Sequence, residues 1–185
     1  GAEDGLLVFQ AQRSVPEGIC IGQCSTKEGL ENLAGIQQNL LQYSKEEELA
    51  HLLFHPDGPI GLQDALDSFG FKTFDIILAH EPLPHRLEHT DAWQSYLNEY
   101  FLPICKLLEK GASFVFSQSL PLLGQRLSKL SELQNFLDKE MLTAFKIAEQ
   151  EYFDSADYFL KVSDLENISS LLSIKLEIEY IDNTV

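Results

Sequence analysis

The chain has 185 residues, 44% of them hydrophobic, which is enough for one compact domain with a sizeable core and too little for two ordinary ones. Lys and Arg number 13 against 29 Asp and Glu, a net charge of -16, and a surface that acidic makes nucleic acid and anionic membranes poor partners. Apolar runs such as LLVF and FDIILA fall far short of the roughly 20 residues that span a bilayer, and no charged-then-apolar leader opens the chain, so the expectation is a single cytoplasmic domain over 1–185.

Leu6 to Ala11 (LLVFQA) is a short apolar run and predicts a strand. Gly18 to Gly22 (GICIG), bounded by Pro16 and QCSTKEG, predicts a second. From Lys27 to Ser44, Leu30, Leu33, Ile36, Leu40 and Leu41 recur at spacings of three and four, one face of a helix. Leu49 to His55 (LAHLLFH), ended by Pro-Asp-Gly-Pro, predicts a strand, and Leu62 to Phe69 a short amphipathic helix stopped by Gly70. FDIILA, from Phe74, is almost continuously apolar, as a parallel strand covered on both faces would be. Trp93 to Leu108 returns to helical spacing, and Ala112 to Phe116 (ASFVF) is again a β run. Parallel strands need crossovers and helices supply them, so the alternation predicts an α/β three-layer sandwich with a mostly parallel, Rossmann-like sheet. Leu120 to Gln150 reads as a long helix with one break, and Leu165 to Leu172 as a short helix capped by Ser163 in a capping box. Lys175 to Ile181 (KLEIEYI) alternates with period two, the pattern of an antiparallel edge strand.

Three cysteines with Cys20 and Cys24 spaced C-x-x-x-C fit neither a redox C-x-x-C nor a zinc knuckle, and they read as reduced thiols. All five histidines lie between His51 and His89. His85 and His89 share a helical spacing but lack the His-Glu-x-x-His order of a zinc hydrolase, so no metal site is predicted. His80 and Glu81 are better placed, because open α/β sheets bind ligands beyond the carboxyl ends of their strands and this pair follows one directly. Ser117 and Ser119 follow ASFVF at the same edge, but without the Gly-x-Ser-x-Gly turn of a hydrolase nucleophile.

Taken in order, FDIILAHEPLPH, LLEKGASFVFSQS and SDLENISSLLSIKLEIEYIDN resemble the second half of a class I S-adenosylmethionine-dependent methyltransferase. Asp75 and His85 have the spacing of that family's Asp-led strand and following His, and Leu107-Leu108-Glu109-Lys110-Gly111-Ala112 stands where a Pro-Gly-Gly turn is usual. The resemblance implies S-adenosylmethionine as cofactor, with Gly22 and Asp57 touching it and His80 and Glu81 facing the transferred methyl. The front half departs from the family. Gly22 is in place, but Gln23, Cys24 and Ser25 stand where further glycines would let the backbone approach a ligand. Two functions follow: a methyltransferase for a small molecule or protein, or a degenerate domain of that fold that binds no cofactor and acts as a scaffold or interaction module.

Short-chain dehydrogenases offer an alternative. They also run through an Asp-led strand, a Trp-containing helix and a Ser-ended strand, here Trp93 and Ser117 or Ser119, with Lys129 as the candidate lysine. Gln125 stands where that family's tyrosine would be, so this reading implies a dehydrogenase or ketoreductase-like domain without an intact active site.

Overall fold

A computed structural model describes residues 5–15, 17–43, 50–54, 61–87, 93–124, 126–155 and 158–179. Asp57, His55, His89 and Gln125 lie outside them. The chain divides into two compact units, one of Gly1–Pro82 with Tyr100–Gln118, the other of Leu83–Glu99 with Ser119–Val185.

The first unit is α/β. It opens with a helix, α1 (Leu6–Ser14), where the sequence predicts a strand. Short apolar runs do not distinguish helix from strand by period alone. Here Val8 and Gln12, four apart, are the buried residues, so the run is read out as one helical face. Strand β1 (Ile21–Cys24) lies three residues later than GICIG suggests and pairs in parallel with β2 (His51–Phe54), Gly22 opposite Leu52 and Cys24 opposite Phe54. Between them runs α2 (Lys27–Tyr43), whose first turn is closed by the Thr26 hydroxyl accepting the Gly29 N–H at 2.9 Å. Val8, Cys24, Leu33 and Ala50 form a buried cluster with Phe9, Cys20, Leu30 and Leu52 packed around it, which seats α1 and α2 on β1 and β2. Burial of Cys20 pushes its thiol pKa up, consistent with a packing role.

Helix α3 (Gly61–Phe69) leads to β3 (Phe74–His80), and α4 (Trp93–Leu107) runs directly into β4 (Leu108–Ser117), the parallel partner of β3. The register shifts between Phe74, opposite Leu108, and Ile76, opposite Ser113. Gly111, at φ 87°, lies within that irregularity and supplies the left-handed residue it requires. From there the pairing is regular. Ile77 with Phe114 and Ala79 with Phe116 occupy one face; Ile76 with Ser113, Leu78 with Val115 and His80 with Ser117 occupy the other. Phe101 of α4 covers the first face, its ring 5.8 Å from Phe114 and 5.9 Å from Phe116. The second face is open, with Ile76 49% and Val115 52% exposed. The apolar FDIILA run is therefore covered on one side, not two. Among the described residues the strands form two two-stranded parallel sheets rather than one continuous sheet, with α1 reaching β3.

The second unit is helical. The segment predicted as a long helix with one break comprises two 3-10 turns (Pro121–Leu123 and Leu127–Lys129), α5 (Ser131–Phe136) and α6 (Lys139–Asp154). Extended residues at Leu130 and Leu137 divide them, and the Asp138 carboxylate starts α6 afresh by accepting the Met141 N–H at 2.8 Å. Helix α7 (Val162–Leu172) begins one residue before the predicted cap, Ser163. Lys161 is its N-cap, and the Asp164 carboxylate accepts the Lys161 N–H at 2.9 Å, so Asp164 rather than Ser163 closes the turn. Lys175–Glu179 form no strand. Alternation shows that one face could be buried, but a strand also needs a neighbour for its backbone groups; the antiparallel pairing among the described residues is the isolated bridge between Arg86 and Phe159.

Glu149 of α6 fastens the second 3-10 turn, accepting from the Ser128 hydroxyl at 2.5 Å and the Ser128 N–H at 3.3 Å. The Ser128 hydroxyl holds the Glu149 carboxyl below its ordinary value, against burial, with further help from the Ser128 and Leu127 N–H groups and from Arg126. A depressed folded-state pKa means that this stabilisation is present above the ordinary carboxylate range and is lost as pH falls through the folded value. The hydrogen-exchange protection factor of the Ser128 amide is therefore expected to drop on acidification in the native chain. In Glu149→Gln it should start low and stay flat with pH; the same acid-dependent drop in that variant would assign the effect to another group.

Candidate functional site

The parallel register of β3 and β4 brings their carboxyl ends to one edge, the place where ligands bind in open α/β sheets. His80 and Ser117 are register partners on the open face, and His80 Nδ1 lies 2.7 Å from Ser117 Oγ. The next residue, Glu81, has φ 47°, a left-handed conformation that costs a non-glycine residue energy. Two bonds hold it there. Its N–H donates to the Ser117 carbonyl at 2.9 Å, and its carboxylate accepts from Gln118 Nε2 at 3.0 Å. His80 and Ser117 are exposed, whereas Glu81 and Gln118 are half-buried. The edge thus presents an imidazole–hydroxyl pair beside a carboxylate–carboxamide pair.

His80 and Glu81 are adjacent in sequence, but their partners are 37 residues away in both bonds. Gln118 carries no sequence signal of its own, and Ser117 has no glycine turn. What identifies them is the register: aligning the ends of FDIILAH and ASFVFS places His80 against Ser117.

Gly22 is elsewhere and does something different. It lies inside β1, buried, and a Cβ built on it would be 2.8 Å from Val8 Cγ2 and 3.1 Å from Leu52 Cδ2. Its missing side chain is filled by α1 and β2. The turn that follows is Ser25-Thr26, without glycine, and the Thr26 hydroxyl already takes the Gly29 N–H at the start of α2. These residues do not form the open backbone cradle that an S-adenosylmethionine-binding turn provides. Of the other described histidines, His51 sets its ring tilted against Phe69, the centroids 4.3 Å apart, and the His85 carbonyl accepts the Leu160 N–H within the second unit. Among the described residues no three His, Cys, Asp or Glu side chains are grouped to hold a metal ion, and no helix is long and apolar enough to cross a membrane.

No family model, no curated protein and no solved structure matches the chain.

Proposed function

We infer that the chain is a cofactor-independent α/β domain of the methyltransferase-like kind, acting as a binding or interaction module that takes a small-molecule or protein partner at the carboxyl ends of β3 and β4. The observation that carries this reading is Gly22, whose free side is filled by Val8 and Leu52 instead of facing a ligand. The β-α-β order through both parallel pairs supports the family likeness. The polar groups at the His80 edge supply recognition there. A net charge of -16 favours a cationic partner over nucleic acid or anionic lipid. Three free cysteines suit a reducing compartment, and the cytoplasm is proposed on that ground.

Isothermal titration with S-adenosylmethionine, its demethylated product and a nicotinamide dinucleotide tests the reading. The expected result is no saturable heat up to roughly millimolar ligand, weaker than about -4 kcal/mol of binding. Saturable binding of the methyl donor or its product in the micromolar range would restore the methyltransferase, and binding of the dinucleotide the dehydrogenase.

A further inference from the structure

The geometry points to Ser117 as a nucleophile toward carboxylic esters, with His80 as its base; the inference rests on the ligand site being at the ends of β3 and β4. A serine hydroxyl is unreactive until a base lies within about 2.6–3.2 Å to take its proton. His80 Nδ1 is 2.7 Å from Ser117 Oγ. Three further features distinguish this pair from a chance cross-strand contact. Both side chains are on the open face, so a substrate can reach them. Glu81 holds a left-handed conformation directly after the base, and strain of that kind gathers at sites of chemistry. The same residue's N–H grips the Ser117 carbonyl, which fixes the two backbones that carry the pair. Ser113, on the same face of β4, has Ile76 as its register partner and so serves as an internal control.

The reaction balances without a cofactor. Ser117 Oγ bonds to the ester carbonyl carbon as its proton passes to His80 Nδ1. The bond to the alcohol oxygen breaks, and the leaving alkoxide takes that proton from His80. Water then attacks the acyl-serine, giving its proton through His80 to the departing Ser117 oxygen, so ester and water become acid and alcohol. The Glu81 carboxylate accepts from Gln118 Nε2, and the proposed chemistry uses Ser117 and His80 alone, as a dyad. Turnover is expected to be slow and covalent capture the sharper readout.

The test treats the full chain with a fluorophosphonate, which transfers its phosphoryl group to the serine oxygen with loss of fluoride, and maps the adduct by mass spectrometry. The expected adduct is on Ser117. It should vanish in Ser117→Ala, persist in Ser113→Ala, and form roughly a hundredfold more slowly in His80→Gln, the scale of lost general-base assistance. p-Nitrophenyl acetate should acylate the same residue. No adduct, equal labelling of Ser113 and Ser117, or an unchanged rate in His80→Gln at an unchanged melting temperature would each overturn the proposal. The outcome is separable from the calorimetry: a chain that binds S-adenosylmethionine yet labels at Ser117 would refute only cofactor independence, and one that binds none of those cofactors and stays unlabelled would refute only the nucleophile.

Discussion

Replacing Phe159 with alanine is expected to cost about 3–5 kcal/mol, the range for removing a buried phenyl ring, against a total of about 5–15 kcal/mol for an ordinary domain. Phe159 is 0% exposed. Its ring is 4.8 Å from Tyr152 in an edge arrangement and 6.2 Å from Phe153, so it closes over the last turn of α6. The Arg86 guanidinium lies 5.9 Å from it on the other strand of the bridge, with Tyr158 and Tyr152 at 5.4 and 6.0 Å. Around it the chain is stitched by two backbone bonds, Leu87 N–H to the Tyr158 carbonyl at 2.9 Å and Leu160 N–H to the His85 carbonyl at 3.4 Å. Removing the ring therefore leaves a cavity at the point where three segments of the second unit meet. Trp93, the chain's one tryptophan, donates Nε1–H to the Tyr158 carbonyl at 3.2 Å, so its fluorescence reports on this unit. Urea denaturation followed by that signal should show a large fall in midpoint for Phe159→Ala. Phe136→Ala, at a position 85% exposed, should stay within about 0.5 kcal/mol of the native chain. A shift no larger for Phe159 than for Phe136 would mean that Phe159 does not anchor this unit.

The helix α2, the short β runs after residue 50 and the α4 crossover are legible in the sequence because their signals are local, a repeat of three and four or an apolar run closed by Gly or Pro. What escapes is decided by neighbours. LLVFQA has strand composition, yet Val8 and Gln12, four apart, are the buried residues of α1 and β1 offers a face for Val8 to cover, so a helix forms. KLEIEYI alternates as a strand should, but Lys175–Glu179 pair with no strand among the described residues and stay irregular. FDIILA reads as buried on both sides because apolar content records hydrophobicity and not coverage; α4 occupies one face only. The candidate site divides in the same way. His80 and Glu81 are visible as the polar end of an apolar run, whereas Ser117 and Gln118 join them only through a register fixed after the irregularity at Gly111.

Gly22 is where fold and function can be separated by one substitution. In a strand interior, Gly→Ala ordinarily stabilises by roughly 0.5–1 kcal/mol, because glycine loses the most backbone freedom on folding. Here the added Cβ would be 2.8 Å from Val8 Cγ2, closer than carbon atoms approach, and 3.1 Å from Leu52 Cδ2. Val8 is only 5% exposed and β-branched, with a χ1 that a helix holds nearly fixed, so it cannot swing aside. Overpacking of about 1–3 kcal/mol outweighs the backbone gain, and Gly22→Ala is expected to lower stability and to speed hydrogen exchange in β1 and β2. If the contact with Val8 is the cause, Val8→Ala should relieve it. The double variant should then lie above the sum of the two single losses by a coupling of roughly 0.5–3 kcal/mol. A glycine kept for ligand approach predicts the reverse pattern: Gly22→Ala would weaken S-adenosylmethionine binding with little loss of stability, and Val8→Ala would restore nothing. Stability with coupling assigns Gly22 to the packing of α1 on β1; binding without coupling would return it to a cofactor and, with it, the methyltransferase to this chain.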